Sequence, residues 1–275
     1  MIHLAAISND PMGNLFEGVT RNINFGASVR LAELAKAHGV RAFVFASSCS
    51  VYGGGSAYPK KESDTVEPLT AYAKSKIDTE IELRKLASED FCVTVLRFAT
   101  ACGWSERFRT DLVLNDFVAS AFVNGNVEIL SDGQPFRPLI CVKDMAKALA
   151  WGGQRDPKLG GEFLVVNCGS NDWNFRIKDL ALAVSECIPN ISVKFSSQTT
   201  VDKRSYQVDF SLYKELAPDC YPSQGLDKTI GEIWAGLSIM DSIDADYRNS
   251  KFMRLVHLKY LIESNQLNED IKWVA

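Results

Sequence analysis

The chain has 275 residues and no apolar run approaching the roughly 20 residues a membrane-spanning helix needs. No lysine- or arginine-rich segment is present and the net charge is -4, so the electrostatic footprint of a nucleic-acid binder is missing. Histidine is scarce: His3, His38 and His257 stand far apart with no ligand spacing, which argues against a metal site. The seven cysteines, at 49, 92, 102, 141, 168, 187 and 220, form no C-x-x-C pair. Several sit in apolar runs such as Phe91-Cys92-Val93, so the expectation is reduced, buried thiols in a cytoplasmic protein. A basic region followed by an apolar segment and a small-residue cleavage site is also absent, and no secretory signal is expected.

What is present alternates. Ile2-His3-Leu4-Ala5-Ala6 reads as a short buried strand, with a polar loop expected from Ser8 to Asn14. Val19, Ile23, Val29, Leu31 and Leu34 recur at helical spacing over 17–38, and Gly39 supplies the stop. Ala42-Phe43-Val44-Phe45-Ala46 is a continuous apolar run, as in a parallel strand covered on both faces. Helices are expected at 71–88, 112–123 and 143–152, and strands at 93–98, 127–130 and 162–167. This βαβ alternation implies an α/β, doubly wound parallel sheet. After about residue 171 the pattern shifts to shorter helices and irregular segments, read as a smaller lobe that closes over a ligand. Open parallel sheets bind ligands beyond the carboxyl ends of their strands, so the polar residues after each strand matter most.

Two such places carry chemistry. Tyr72-Ala-Lys-Ser-Lys76 sets a phenol and an ammonium on one helix face, at i and i+4. A fixed positive charge favours the phenolate and lowers a tyrosine pKa from its ordinary value of about 10, making a base for a substrate hydroxyl. Ala46-Ser47-Ser48-Cys49-Ser50-Val51-Tyr52-Gly53 ends the strand before that helix, placing hydroxyls at the expected crevice. By itself a Y-x-x-x-K pair is a common feature of amphipathic helices, and serine-rich segments make turns; the two together carry the reading.

These pieces resemble the extended short-chain dehydrogenase/reductase family, in its NAD-dependent nucleotide-sugar epimerase/dehydratase branch. His3-Leu4-Ala5-Ala6, Asn22-Ile23-Asn24, the serine motif, Tyr72 to Lys76, Leu96-Arg97-Phe98, Gly133-Gln134-Pro135-Phe136-Arg137, Cys141-Val142-Lys143-Asp144 and Arg204 to Asp209 match in family order. The resemblance implies a Rossmann-like domain over 1–170 and a substrate lobe over 171–275, with contributions from 105–138. It implies catalysis by Tyr72, Lys76 and Ser48. Leu4, Ala5, Ala6, Asn24, Ser47, Phe98 and Ala99 would line NAD together with Tyr72 and Lys76, NADP being left open. Ser48, Thr100, Arg137 and Arg204 would hold a nucleotide-diphosphate sugar, the arginines because their planar fork matches phosphate oxygens. Asp144 is expected to cap its helix. A homodimer through the 17–38 and 71–88 helices is implied as well.

The sequence departs from the family pattern in three places. Its glycine-rich turn after the first strand has no counterpart, and the resemblance starts at what would be the fourth strand. The expectation is therefore a sheet lacking its first strands, with roughly 60 to 70 residues of βαβ units missing. At 48–50 the family's 4,6-dehydratases carry Thr-Asp-Glu; Cys49 and Ser50 offer no carboxylate, which disfavours dehydration. Family epimerase-reductases place a cysteine acid/base at the position of Ser50, not at Cys49. Thr100-Ala101 stands where the family has Asn-Pro. The leading expectation is a nucleotide-sugar 4-epimerase. A dehydrogenase or ketoreductase, a 4,6-dehydratase, or a non-catalytic or inactive truncated binder of NAD(P) or sugar nucleotide are the alternatives.

Overall fold

A computed structural model describes residues 1–55, 58–195, 205–240 and 243–274. Strands β1 (Ile2–His3), β2 (Ala42–Ser48), β3 (Cys92–Phe98), β4 (Thr100–Cys102), β5 (Asn126–Ile129), β6 (Phe136–Cys141), β7 (Phe163–Cys168), β8 (Asn174–Arg176) and β9 (Ser192–Phe195) fall into three sheets. Helices are α1 (Asp10–Leu15), α2 (Glu17–Thr20), α3 (Ser28–Ala37), α4 (Ala71–Leu86), α5 (Val113–Asn124), α6 (Val142–Gln154), α7 (Ile177–Cys187), α8 (Ser211–Leu216), α9 (Leu226–Ile239) and α10 (Arg254–Glu263).

The main sheet is parallel, in the order β1-β2-β3-β7. Alternation along its strands decides how the helices wrap it. Phe43 and Phe45 of β2 and Val93 and Val95 of β3 pack with Ala32 of α3 and Leu83 of α4. Val44 and Leu96, from the other face, pack with Ala148 of α6 and Tyr213 of α8. Both faces are thus covered, which accounts for the continuous apolar runs read from the sequence. The α6 helix lies unusually close, because a Cβ on Gly152 would stand 3.2 Å from Val44 Cγ1 and 3.4 Å from Thr94 Cγ2. A second core unites 102–141 with the later lobe: Leu114, Phe117, Val127 and Leu139 pack with Leu180, Val184, Ile233 and Tyr247.

Several expectations are corrected. The missing first strands are not shown: β1 is in place, pairing Ile2 with Val44 and His3 with Phe45. The expected loop at Ser8–Asn14 instead contains α1, started by Asn9, whose side chain accepts from the Met12 amide, with Pro11 in the first turn. The predicted 17–38 helix is continuous through α2 and α3, with a π-helical turn at Arg21–Ala27 between them. Asp144 is not a cap; the capping position is Cys141, and Asp144 sits buried in the first turn of α6, paired with Lys147 at 2.9 Å. There its charge meets the positive end of the helix dipole. Cys187 is exposed and Cys220 half-exposed, so burial holds for five of the seven cysteines; all seven are free thiols. Strands β8 and β9 were hidden within the segment read as helical and irregular. Among the described residues no helix is long and apolar enough to cross a membrane.

Candidate active site

The carboxyl ends of β1, β2 and β3 open into a cavity of about 650 Å³, within the range of about 300–1,000 Å³ usual for small-molecule sites. Each strand delivers its terminal residues to it. Leu4 and Ala6 follow β1, Ser47 and Ser48 end β2, and Phe98 ends β3 ahead of Ala99 and Thr100. Arg137 of β6 and the α5 residues Asp116 and Phe117 also line it.

Helix α4 brings in Tyr72 and Lys76. It starts where it does because Thr70 accepts from the Ala73 amide at 3.1 Å, while its own hydroxyl donates to Asp10 at 2.7 Å. The Ser48 hydroxyl acts on the Tyr72 hydroxyl in the direction that favours the phenolate. Lys76 is buried, donates to the Ala46 carbonyl at 2.7 Å, and lies 5.6 Å from the centroid of the Tyr72 ring. Ser48, Tyr72 and Lys76 are thus brought together from two elements. The expected lowering of the Tyr72 pKa is not found. Burial pushes it up to about 12, against the opposing hydrogen bond from Ser48.

Burial also moves Lys76, down to about 8, with the nearby Glu80 carboxylate opposing. The folded chain therefore releases this proton more readily than the unfolded chain, whose lysine keeps the ordinary value of 10.5. In the folded state the charged form costs stability below about pH 8, and that cost fades as pH rises toward 10.5. Lys76→Met is accordingly expected to lose activity yet to unfold at higher urea. The gain near neutrality is about 1 to 3 kcal/mol, at about 1.4 kcal/mol per pH unit and less the lost bond to Ala46. The gain should shrink toward pH 10.5, which urea titrations at neutral and alkaline pH will read.

Behind these groups lies a buried polar network. Glu80 accepts from Ser47 and takes Arg97 through both oxygens, with Nη2 to Oε2 at 2.7 Å. Arg97 donates to the Tyr52 hydroxyl at 3.0 Å, and Tyr52 to Asn167 at 2.7 Å. Gly53, which follows, has φ +73°, and a Cβ there would stand 2.3 Å from the Glu67 carbonyl oxygen; glycine is required at this turn. Cys49 is fully buried and donates to the Arg97 carbonyl; burial pushes its thiol far up, so it is no nucleophile at neutral pH. Ser50 lines the cavity, and its buried Oγ has no hydrogen-bond partner among the described residues.

Other expected residues fall elsewhere. Ala5 does not line the cavity. Neither does Asn24, which is buried on the π-helical turn and makes both backbone bonds of Ile7, accepting its N–H at 2.8 Å and donating to its carbonyl at 2.9 Å. It holds the segment between β1 and α1 in place, as a neighbouring strand would. Arg204 lies outside the described residues. Residues the sequence reading passed over include Ser8, Arg109 and Asp111. Arg109 grips Asp111 with two nitrogens, at 2.7 and 2.9 Å, and donates to Ser8 Oγ at 3.1 Å. Burial pushes the Asp111 carboxyl up, but Arg109 and Asn9 overcome this and hold it below its ordinary value. The signal was available, since both are polar runs that follow strands, Ser8 to Asp10 after β1 and Arg109 to Asp111 after β4.

A dinucleotide needs space at its nicotinamide and hydrogen-bond donors at its ribose hydroxyls. The nicotinamide-ribose end fits: small and apolar residues at the ends of β1 and β3 leave room. Lys76 makes one side-chain hydrogen bond among the described residues, so its other N–H donors can face the cavity it lines.

A parallel sheet wrapped on both faces, with serine, tyrosine and lysine converging at its carboxyl end, is the arrangement of the extended short-chain dehydrogenases/reductases. Within that class the chain belongs to the NAD dependent epimerase/dehydratase family, whose model matches residues 1–169. It is 28% identical over 220 residues to an uncharacterized UDP-glucose epimerase of Bacillus subtilis, covering 78% of this chain and 67% of that one. With the UDP-glucuronate 4-epimerase of Thermodesulfobacterium geofontis it shares 27% over 251 residues, 88% of this chain and 75% of the other. Among solved structures it superposes on MoeE5 in complex with UDP-glucose and NAD at a TM-score of 0.72 and 25% identity, covering 87% of this chain and 79% of that one.

Proposed function

We propose that the chain is a nucleotide-sugar 4-epimerase acting on a UDP-hexose or UDP-hexuronate. The observation that carries this reading is that Ser48, Tyr72 and Lys76, with Lys76 5.6 Å from the Tyr72 ring, line one cavity together with Arg137. The chemistry NAD would supply when bound is reversible uptake of the hydride from the sugar carbon. Tyr72 Oη removes the proton of the hydroxyl on that carbon and later gives it back. Ser48 Oγ orients that hydroxyl. Lys76 holds the cofactor ribose beside Tyr72, and its ammonium favours the phenolate as the proton moves. Leu4, Ala6, Ser47, Phe98 and Ala99 line the cofactor, Asn24 shapes its wall through Ile7, and Thr100 contacts the sugar. Arg137, over the Tyr206 ring at 5.9 Å, grips the diphosphate, and Arg204 is assigned to the same group. The UDP moiety and both sugar classes are taken from the relatives' names. Dehydration is disfavoured because Cys49 is buried and Ser50 carries no carboxylate.

The lobe that closes over the sugar is assigned to 171–275 with the 105–138 segment. The homodimer is assigned to the faces of the 17–38 and 71–88 helices, where Ile23, Leu34 and Ile81 stand exposed. Turnover is tested by NMR of UDP-glucose and UDP-glucuronate incubated with the chain and a trace of NAD. The 4-epimer should appear in excess over the NAD added. A 4-keto product, or product limited to the NAD supplied, would refute epimerisation.

A further inference from the structure

The segment after α9 has no part in the chemistry above, yet it touches the cavity wall. Tyr247 is buried in the second core and donates to Asp116 Oδ1 at 2.7 Å. Its neighbour Arg248 reaches two elements at once. It meets Asp116 on α5 through Nε and Nη2, at 3.0 and 2.9 Å, and Glu128 on β5 through Nη1 at 2.8 Å. Both carboxylates line the cavity, whereas Arg248 stands behind them.

The charge balance gives this arrangement a purpose. Among the described residues the cavity is lined by four carboxylates, Asp10, Asp111, Asp116 and Glu128, against three cations, Lys76, Arg109 and Arg137. Three positive charges against four negative leave the wall at -1, before Arg248 is counted. A diphosphate brings further negative charge into the cavity, and like charges there repel. Asp111 is already held by Arg109. Asp116 and Glu128 are held by Arg248 alone among the described cations.

We propose that Arg248 is a specificity-determining positioning residue: it withdraws the charge of Asp116 and Glu128 from the cavity and so lets this site accept the polyanionic end of a nucleoside diphosphate. The inference rests on the nucleotide-sugar reading and adds to it a requirement for the C-terminal segment. Arg248 acts through the two carboxylates and touches no reacting atom.

The test is calorimetric titration of the full chain with UDP, with urea unfolding to verify each variant. Arg248→Gln should weaken UDP binding at least tenfold, about 1.4 kcal/mol. Adding Asp116→Asn and Glu128→Gln to that variant should restore affinity to within about threefold of the parent chain. Asp116→Asn with Glu128→Gln alone, which leaves Arg248 as a free cation, should bind UDP more tightly than the parent chain, and less so as salt rises. A purely structural Arg248 gives neither the rescue nor the gain. Undiminished binding by Arg248→Gln, a triple variant as weak as Arg248→Gln, or a double variant no tighter than the parent overturns this proposal and leaves the nucleotide-sugar reading standing. A parent chain that binds no UDP overturns both.

Discussion

Tyr72→Phe is expected to lower kcat by about 10²- to 10⁴-fold, the usual contribution of a positioned acid/base, while UDP affinity stays where it was. The variant deletes one oxygen at the cavity floor, and the ring keeps its place over Lys76, so folding should be unaffected. The pH profile of the parent enzyme makes the assignment sharper. With the Tyr72 pKa pushed up to about 12, the phenolate fraction grows as pH rises, and the rate should climb with it. Lys76 loses its proton through about pH 8, and beyond that point the gain in phenolate is offset by loss of the ammonium. The rate should therefore rise to about pH 8 and then level. Tyr72→Phe should abolish the climb. A variant that kept the climb and most of its kcat would remove Tyr72 from the reaction.

Glu80→Gln is expected to destabilise the fold by about 3 to 5 kcal/mol, because it strands the Arg97 guanidinium in the interior. Glu80 and Arg97 are each only about one-twentieth exposed, at 5% and 6%, so water cannot replace the lost partner. The effect should reach the active site as well. Glu80 holds Ser47, one residue before Ser48, and its charge opposes the lowering of the Lys76 pKa. Replacing the pair together, as Glu80→Leu with Arg97→Met, should recover much of the stability, since an apolar pair needs no compensation. Urea titrations of the single and paired variants test this. A loss below about 1 kcal/mol in Glu80→Gln would mean the network is dispensable.

Much of this was legible in the sequence because it depended on local pattern. The run Ala42 to Ala46 and the i, i+4 placement of Tyr72 and Lys76 follow from chain geometry alone, and the structure places both accordingly. The Ser48–Tyr72 contact was accessible because both lie at one end of a parallel sheet. What escaped depended on three-dimensional surroundings. The direction of the Tyr72 shift turned on burial, which outweighs the Ser48 hydroxyl and the Arg109 charge and has no sequence signature. The α1 helix was masked by Asn9, Pro11 and Gly13, residues equally suited to a turn and to a helix start. Asn24 was read as lining the cofactor, yet its amide satisfies the backbone of Ile7, 17 residues earlier, on an adjoining segment. Arg248 could not be found by pattern, since its two partners lie 120 and 132 residues away.

In the proposed epimerisation a hydride leaves the sugar and returns to it while Tyr72 holds the proton. Its most direct test follows absorbance at the reduced-nicotinamide band through complete turnover of UDP-glucose by the chain with NAD. The trace should remain flat while the 4-epimer accumulates. A rise matching the sugar consumed would show a net dehydrogenase, and would contradict the epimerase reading.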